Sequence, residues 1–274
     1  MPSAESNSEM APVGAASSQR KSGVQSLDRV LAILRSFSLE EPTLGVSEIA
    51  RRIDLTSSTT HRLLTSLAQH GLVMRTEARG YALGPELLRL ALVAKEAMDL
   101  RDIAEPIMVQ LRDATDETVG LHVRDTSLLR HVIHQVESRQ ALRRIYTEMG
   151  QAVPLHQGAP GKVLLAYLSE SEQNRVLSEP LEKATERTIT NPASIRKELA
   201  KVRSSGYAIS VQERVTGIAS IAVPVWDYSD RVVAVLSVSG PASRMSEKRL
   251  HSIAPTIKAA SHQLSILLGA TPTT

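Results

Sequence analysis

Cysteine is absent from the 274 residues. Its absence excludes disulfides, thiol nucleophiles and cysteine-ligated metal sites, and it fits a cytoplasmic protein. No run of 18 or more apolar residues occurs, so no transmembrane helix is predicted. One Phe and one Trp leave little aromatic surface for stacking the bases of a single-stranded nucleic acid. These absences exclude several classes of function and leave an ordinary cytoplasmic protein.

The excess of one charge sign is also small, because the net charge is only +3. Its distribution is uneven. Residues 20–80 contain nine Lys and Arg against six Asp and Glu, whereas the rest of the chain contains 23 of each. A cationic excess confined to one segment favours contact with phosphates. The first 20 residues lack the apolar core of a secretory signal, and we predict disordered tails over 1–22 and 270–274.

Two helices are predicted at the start of the ordered chain. Over residues 24–37, apolar side chains recur at helical spacing and predict an amphipathic helix. A second, short helix is predicted from about Val46, with Ser47 as a candidate N-cap. Asp54 is expected to end this second helix, and a third helix follows within a few residues.

The third helix begins within LTSSTTHRLLTSL (55–67) and is expected to end near Gly71, which suits a helix C-cap. Residues 72–84 predict two short strands around an Arg79–Gly80 turn, the size of a wing. Three helices closed by a hairpin form a winged helix-turn-helix, which we place over residues 23–84.

Five consecutive hydroxyl residues, Thr56 to Thr60, open the third helix. One N-cap needs one hydroxyl, which we expect from Thr56 or Ser57. Thr60 is expected to point inward with the helix leucines, whereas the outward side chains could contact the DNA major groove. The alternative is that the hydroxyls only cap the helix and the charged residues are merely solvated. The predicted DNA contacts are Ser47, Ser57, Ser58, Thr59, His61, Arg62, Thr65 and Arg79.

Residues 85–101 predict a helix that is apolar around much of its circumference. Such a helix usually packs against another chain or lies between domains, so we interpret it as a linker that also dimerises. Residues 102–269 predict an α+β domain with a mainly antiparallel sheet, because six strand-like segments alternate with helices. The predicted strands are 119–123, 127–136, 141–148, 207–215, 218–226 and 232–240. Helices are predicted at about 161–168, 171–179, 192–205 and 246–268.

The segment PLHQGAPGKVLLAYL (154–168) does not have the spacing of a nucleotide-binding phosphate loop, because Gly158 and Gly161 are too close and Val163 follows Lys162. A glycine-containing loop that enters a helix can still present backbone N–H groups to an anion. Gly158 and Ala159 are therefore candidates to bind a small carboxylate, and a plain helix N-terminus is the alternative.

Hydroxyl side chains are set into the last three apolar strands, at Ser210, Ser220, Ser237 and Ser239. Ser237 and Ser239 are two residues apart and so share one face of a strand. On a concave face they would be polar groups in an otherwise apolar ligand pocket. The alternative is a solvent face of a half-exposed strand.

Metal and enzyme chemistry receive little support. His131 and His134 are three apart on a predicted strand and would face opposite sides, and His122 and His156 are expected to be packed, hydrogen-bonded histidines. No G-x-S-x-G motif occurs. We predict no metal, cofactor or catalytic residue, and a metal- or enzyme-type sensor fused to a DNA-binding domain remains the alternative.

Several stretches together resemble the IclR family of bacterial transcriptional regulators, from Val24 to Leu268. They are SLDRVLAILRSF, SEIARRIDLTSSTTHRLLTSLAQHGLV, GYALGPELLRLA, AVPLHQGAPGKVLLAYL, GYAISVQERVTGIASIAVPVWD and LSVSGPASR. The resemblance implies a winged helix, a linker helix and a GAF-like effector domain, assembled as dimers or dimers of dimers. It also implies binding to operator DNA and to a small organic acid or aromatic effector.

By position, the resemblance assigns Ser58, Thr59, His61 and Arg62 to the DNA contact. It assigns the effector pocket to Gly158, Ala159, Ser210, Ser220, Ser237 and Ser239. Thr60 departs from the family, which usually has an apolar residue there. Ser210 and Ser220 stand where the glyoxylate-responsive member has Asp and Cys, and Pro160 removes a backbone donor, so the resemblance does not imply glyoxylate as the ligand.

Overall fold

The computed structural model describes residues 25–38, 40–77, 80–97, 99–147 and 149–271. The chain divides into two compact units, with the boundary after Ala97. Arg79, the first 24 residues and the last three lie outside the described residues, and so do the predicted N-terminal tail and most of the predicted C-terminal one. Within the described part of the chain, no helix has the length and apolarity that crossing a bilayer requires.

The N-terminal unit is the predicted winged helix-turn-helix followed by one further helix. Its helices are α1 (Gln25–Arg35), α2 (Val46–Arg52), α3 (Ser57–Gln69) and α4 (Pro85–Ala97), and its strands are β1 (Thr43–Leu44), β2 (Val73–Arg75) and β3 (Tyr81–Leu83). The hairpin of β2 and β3 confirms the predicted wing, and β1 adds a third antiparallel strand that the sequence pattern did not indicate. The predicted linker over 85–101 corresponds to α4 and the first residues of the next helix.

The ends of α2 and α3 follow helix-capping chemistry, with one correction. Thr56 is the N-cap of α3 and its side chain accepts a hydrogen bond from the Thr59 amide. Gly71 has φ +68°, and the Leu72 amide donates to the Leu67 carbonyl, which closes the helix as a Schellman motif. The prediction that Ser47 caps α2 is wrong: the N-cap is Gly45, which lacks a side chain to accept a bond, and Ser47 lies inside the helix.

The C-terminal unit contains five helices and six strands within the described residues. The helices are α5 (Leu100–Thr115), α6 (Gly158–Ala166), α7 (Glu170–Ser178), α8 (Pro192–Ser205) and α9 (Glu247–Leu267). The strands are β4 (Thr118–Arg124), β5 (Leu129–Val136), β6 (Val153–Pro154), β7 (Ala208–Val211), β8 (Ile218–Trp226) and β9 (Val232–Pro241). They form one antiparallel sheet in the order β6-β5-β4-β9-β8-β7, which confirms the predicted fold class.

The two faces of this sheet differ in chemistry because side chains alternate along each strand. One face is apolar and packs against α5 and α9, with Leu121, Ile221 and Leu236 in its core. The opposite face packs in part against α6 and α8 through Ala222 and Val235. On β8 and β9 the neighbouring residues of that second face are Ser220, Ser237 and Ser239, so a buried polar region lies beside an apolar core.

The predicted strand over 141–148 is wrong. Residues 141–147 form a loop, the last of the predicted residues lies outside the described ones, and the sixth strand is instead Val153–Pro154. Side chains satisfy the loop backbone where strand neighbours would: Thr118 Oγ1 donates to the Arg144 carbonyl at 2.6 Å, and the Tyr146 amide donates to Gln135 Oε1 at 2.8 Å. Apolar spacing cannot reveal such side-chain partners.

Candidate functional site

The outward face of α3 carries the side chains that the sequence predicts to contact DNA. Ser57, Ser58, His61 and Arg62 are exposed, and Thr59 and Thr65 are partly exposed. Leu64, Leu67 and Thr60 are buried on the opposite face, as the helical period predicted. The structure therefore brings these six residues onto one helix surface, with Ser47 exposed on the neighbouring α2.

The exposed basic side chains of α2 and α3 differ in whether an acidic side chain pairs with them. Arg51 and Arg52 of α2 both pair with Glu48 at 2.7 Å. Arg62 and His61 have no side-chain partner among the described residues, and α3 contains no acidic residue. A helix start with free amides and an uncompensated guanidinium is suited to a polyanion such as DNA.

The wing adds a cation that the sequence reasoning missed. Arg75 of β2, Thr76 and Gly80 line a hollow together with His61 at the outer face of α3. The Arg75 Nε donates to the Tyr81 hydroxyl at 3.2 Å, and its guanidinium lies 5.7 Å from the centre of that ring. Tyr81 thus orients a positive charge next to the predicted recognition helix. Arg79, predicted to contact DNA from the wing, lies outside the described residues.

A small cavity in the C-terminal unit collects most of the predicted effector residues. Its volume is about 40 Å³. Four of the six predicted effector residues line it, namely Gly158, Ser210, Ser220 and Ser239. The strand serines Ser210, Ser220, Ser237 and Ser239 are all at most 8% exposed. The alternative that they form the solvent face of a half-exposed strand is therefore wrong. The full lining is Arg130, Arg144, Tyr146, Gln157, Gly158, Pro160, Ser210, Arg214, Val215, Ile218, Ser220 and Ser239.

Two predicted effector residues stand outside this lining. Ala159 is fully buried in the core beneath α6, and Pro160 lines the cavity in its place. Ser237 is fully buried behind the wall, where its hydroxyl contacts Tyr146 and His122. Strand pairing aligns the remaining serines, because Ser210 lies opposite Ser220 and Ser220 opposite Ser239.

Three arginines line the cavity and give it a positive character that the sequence reasoning did not detect. Arg130 is 2% exposed on β5, Arg144 lies in the loop after β5 with its guanidinium 4.6 Å from the Tyr146 ring centre, and Arg214 follows β7. No acidic side chain is among the lining residues in the described ranges. Guanidinium groups bind carboxylates through paired hydrogen bonds, so the cavity is suited to an organic anion.

A buried ion pair positions the loop that carries Arg214. Lys162 of α6 is 2% exposed, and its Nζ donates to Glu213 at 2.7 Å and to the Ile209 carbonyl at 2.6 Å. Burial raises the pKa of Glu213, although the Lys162 charge opposes this shift. Arg214 Nη1 then donates to Gln157 Oε1 at 3.1 Å. The loop after β7 is therefore fixed against the N-terminus of α6.

Gly158 leaves the N-terminus of α6 accessible from the cavity. Its φ is +80°, and a Cβ added there would lie 3.5 Å from Arg214 Cβ and 4.0 Å from Ser210 Oγ. A side chain at this position would be strained and would occupy space beside the cavity. Glycine at residue 158 thus leaves room where a ligand would approach the helix N-terminus.

Four histidines of the C-terminal unit have structural partners. The fully buried His122 bonds Ser237 at 2.7 Å and Arg130 at 2.9 Å, and His156 bonds the Glu182 carbonyl at 2.9 Å, which confirms that both are packed and hydrogen-bonded. His131 bonds Asp125 at 2.8 Å, which raises the histidine pKa, and His134 contacts Glu105. Among the described residues, no group of three His, Asp or Glu side chains could hold a metal ion.

A larger cavity of about 390 Å³ lies between β8 and α9, near Tyr167, Trp226 and Lys258. Size alone does not make it the better ligand site. Its Lys258 ammonium donates to the Ser205 carbonyl and lies 5.4 Å from the centre of the Tyr207 ring. The convergent guanidinium and hydroxyl groups line the smaller cavity, so the chemistry favours that one.

Two family descriptions match this chain. Residues 26–77 match the IclR helix-turn-helix domain, and residues 93–266 match the C-terminal domain of the bacterial transcriptional regulator IclR. The chain belongs to the IclR family. It is thus a DNA-binding transcriptional regulator with a ligand-binding C-terminal domain.

Individual relatives agree with this family. The HTH-type transcriptional regulator BhcR of Paracoccus denitrificans is 32% identical over 92% of this chain and 90% of its own length. A solved structure of an IclR transcriptional regulator from Silicibacter sp. TM1040 is 29% identical, with a TM-score of 0.83 over 91% of this chain and 98% of that one. These relatives of the IclR-family chain are transcriptional regulators and not enzymes, which argues against an enzyme-type sensor domain fused to the DNA-binding domain.

One solved relative contains a small molecule. An IclR homologue from Microbacterium hydrocarbonoxydans, complexed with 4-hydroxybenzoate, is 26% identical to this IclR-family chain. Its TM-score is 0.58, and the alignment covers 90% of this chain and 100% of the homologue.

Proposed function

We propose that this regulator binds operator DNA through the outward face of α3 and the wing, and that a small organic carboxylate in the arginine-lined cavity modulates this binding. The observation that carries the effector proposal is the convergence of Arg130, Arg144 and Arg214 on one cavity. Because it acts on DNA, the protein would work in the cytoplasm.

The DNA proposal rests on the exposed side chains of α3. We assign the contacts to Ser57, Ser58, Thr59, His61, Arg62 and Thr65, with Ser47 of α2 and with Arg79, which lies outside the described residues, and we add Arg75 of β2. A recognition helix enters the major groove with its N-terminal end, where short hydroxyls allow close approach and arginine reads guanine.

The effector proposal rests on charge, hydroxyl groups and size. Gly158, Ser210, Ser220 and Ser239 line the cavity directly, whereas Ala159 and Ser237 support its wall from behind. A cavity of about 40 Å³ is far below the roughly 300 Å³ typical of drug-sized ligands. A short aliphatic carboxylate fits this space better than an aromatic acid such as the 4-hydroxybenzoate bound by the Microbacterium homologue.

We further propose that the regulator is at least a dimer and that α4 is part of the contact. Leu88, Leu92 and Val93 of α4 are 71%, 64% and 59% exposed, and Leu90 is 44% exposed. Contiguous exposed leucines on one helix are costly in water and usually mark an interaction surface. A second copy of α4 would cover them and bring two recognition helices to two operator half-sites.

Thermal-shift measurements on the purified full chain test the effector proposal. The panel contains two- to four-carbon aliphatic carboxylates beside aromatic acids that include 4-hydroxybenzoate. A ligand present at about a hundred times its Kd stabilises by about 2.7 kcal/mol, which corresponds to a rise in Tm of roughly 5–10 °C. We expect an aliphatic carboxylate to produce this rise and the Arg214→Met variant to lose it.

The control is Lys197→Met, which removes one exposed cation from α8 and should respond as the wild type does. Stabilisation by aromatic acids alone would reject the short aliphatic class. If no carboxylate stabilised the wild type, or if Arg214→Met responded normally, the proposed effector site would be wrong.

A further inference from the structure

Five buried polar side chains form a continuous hydrogen-bonded relay behind the effector cavity. The relay runs from Arg130 to His122 at 2.9 Å, from His122 to Ser237 at 2.7 Å, from Ser237 to Tyr146 at 3.1 Å, and from Tyr146 to Ser239 at 2.7 Å. Each of the five is at most 6% exposed. Arg130, Tyr146 and Ser239 also line the cavity, so the relay starts and ends at the ligand space.

The first residue of the relay fixes the direction of its hydrogen bonds. A guanidinium can only donate, so Arg130 requires a lone pair on His122 Nδ1. A neutral His122 then carries its proton on Nε2 and donates to Ser237 Oγ. The hydroxyl hydrogen of Ser237 is left for Tyr146, because its other acceptor, the Gly120 carbonyl, is 3.5 Å away.

Tyr146 carries the hydrogen-bond direction that Arg130 sets on to the cavity. Tyr146 accepts from Ser237 and has one hydrogen, which it donates to Ser239 Oγ at 2.7 Å. Ser239 already accepts this bond, so its own hydrogen is available to the cavity that it lines. The charge on Arg130 thus determines the orientation of the Ser239 hydroxyl through three intervening side chains.

His122 remains neutral under this arrangement. Burial lowers its pKa well below the usual value, and the charges of Arg130, Arg144 and Arg214 lower it further. An imidazolium would need acceptors on both nitrogens, and Arg130 supplies a donor to one of them. The donor pattern and the surrounding charges therefore favour the same single tautomer.

Gly120 provides the space for the relay. A Cβ at this residue would lie 2.8 Å from His122 Nε2, 2.9 Å from Tyr146 Cε2 and 3.1 Å from Ser237 Oγ. The strand can therefore approach the relay only because residue 120 has no side chain. Five polar groups joined in one buried chain of hydrogen bonds polarise one another.

We propose that the relay holds Ser239 as a hydrogen-bond donor to the effector, so that the cavity selects a carboxylate over the uncharged amide of the same carbon skeleton. An uncharged amide has a single acceptor oxygen, so its N–H groups would face the guanidiniums or the hydrogen of Ser239, whereas both oxygens of a carboxylate accept. His122 acts as a positioning residue, because it lies behind the wall. This inference rests on the proposed function in taking the arginine-lined cavity as the effector site.

The tautomer of His122 is measured without any ligand. Side-chain nitrogen NMR of the ¹⁵N-histidine-labelled full chain, with the His122→Gln spectrum for assignment, reports which ring nitrogen is protonated. Should His122→Gln fail to fold, the resonance that shifts in Ser237→Ala gives the assignment. We expect a neutral ring protonated at Nε2 and unchanged between pH 6 and 8. A ring protonated at Nδ1, or an imidazolium, would overturn the relay.

Selectivity is measured by calorimetry with acetate, propanoate and butanoate, each beside its own amide. We expect the wild type to prefer the carboxylate, and Tyr146→Phe to lower the carboxylate-to-amide affinity ratio by about tenfold, as for a lost bond to a charged group. The matched control Tyr167→Phe alters a tyrosine at the other cavity and should leave the ratio unchanged. A ratio unchanged in Tyr146→Phe would overturn the proposal.

The two proposals fail in different ways. If none of the three carboxylates binds the wild type but His122 is protonated at Nε2, the proposed effector class is wrong and the selectivity proposal falls with it, whereas the relay stands. If carboxylates bind and His122 is protonated at Nδ1, the effector class stands and the inference about Ser239 is wrong.

Discussion

Arg62 differs from the arginines of α2 in being unneutralised by the described part of the chain. Arg51 and Arg52 share Glu48, whereas Arg62 projects from a helix without acidic residues. Replacing it with alanine should lower DNA affinity roughly ten- to a hundredfold, because a good arginine–guanine pair contributes about 1–3 kcal/mol of discrimination. Fluorescence anisotropy on a duplex that the wild type selects from a random pool measures this loss.

The control for Arg62→Ala is Lys197→Ala, which makes the same change in net charge on an exposed part of α8. It should bind the selected duplex as the wild type does. Effector binding should persist in both variants. Wild-type DNA affinity in Arg62→Ala would remove Arg62 from the recognition surface.

Thr60 shows how much a residue's environment adds to its sequence pattern. The helical period predicts that it points inward, and it is fully buried. The pattern gives no reason for a hydroxyl there. In the structure Thr60 Oγ1 donates to the Thr56 carbonyl at 3.0 Å, so the buried polar group is satisfied within its own helix and its cost is small.

Some candidate effector residues can be recognised in the sequence, whereas others are revealed only by the fold. Serines spaced two apart on one strand are visible in the sequence, and strand pairing fixed their neighbours. Arg130, Arg144 and Arg214 are separated by 14 and 70 positions and meet only through the tertiary fold. Arginines are usually exposed, so one chain alone offered no signal that these three are directed inward.

At the scale of elements, α4 is the helix whose exposed apolar side chains most clearly lack a packing partner among the described residues. Leu88 and Leu92 are one helical turn apart, and 71% and 64% exposed. Changing both to glutamate should convert an assembled wild type to monomers, because burying unpaired carboxylates in an apolar contact is costly. Sedimentation velocity measures the assembly state, and the same variant should lose affinity for a two-half-site duplex.

Leu142 supplies the control for the α4 experiment, since it is 66% exposed in the C-terminal unit. Leu142→Glu should sediment as the wild type does. A wild type that is monomeric at micromolar concentration, or a double variant that assembles normally, would contradict the role given to α4.

The elements also show which part of the fold periodicity can predict. Helices with strong apolar stripes were found within a few residues, including α8 and α9. The apolar spacing of residues 141–148 predicts a strand, yet in the structure side chains of β4 and β5 bind the backbone of this segment. Strand pairing is a long-range property, so a two-residue edge strand such as β6 leaves almost no local trace.

At the scale of the whole molecule, regulation requires that the effector bind one arrangement of the recognition helices more tightly than another. The absence of cysteine makes this measurable, because one introduced cysteine carries one label per chain. Gln69 is exposed at the end of α3, so Gln69→Cys with a nitroxide reports the separation of the two recognition helices in a dimer. We expect the distance distribution from pulsed electron resonance to shift when the stabilising carboxylate is added. The same label in an Arg214→Met background should not respond, because the carboxylate is not expected to bind that variant. An effector that binds at saturation without altering the wild-type distribution would mean that regulation does not proceed by moving these helices.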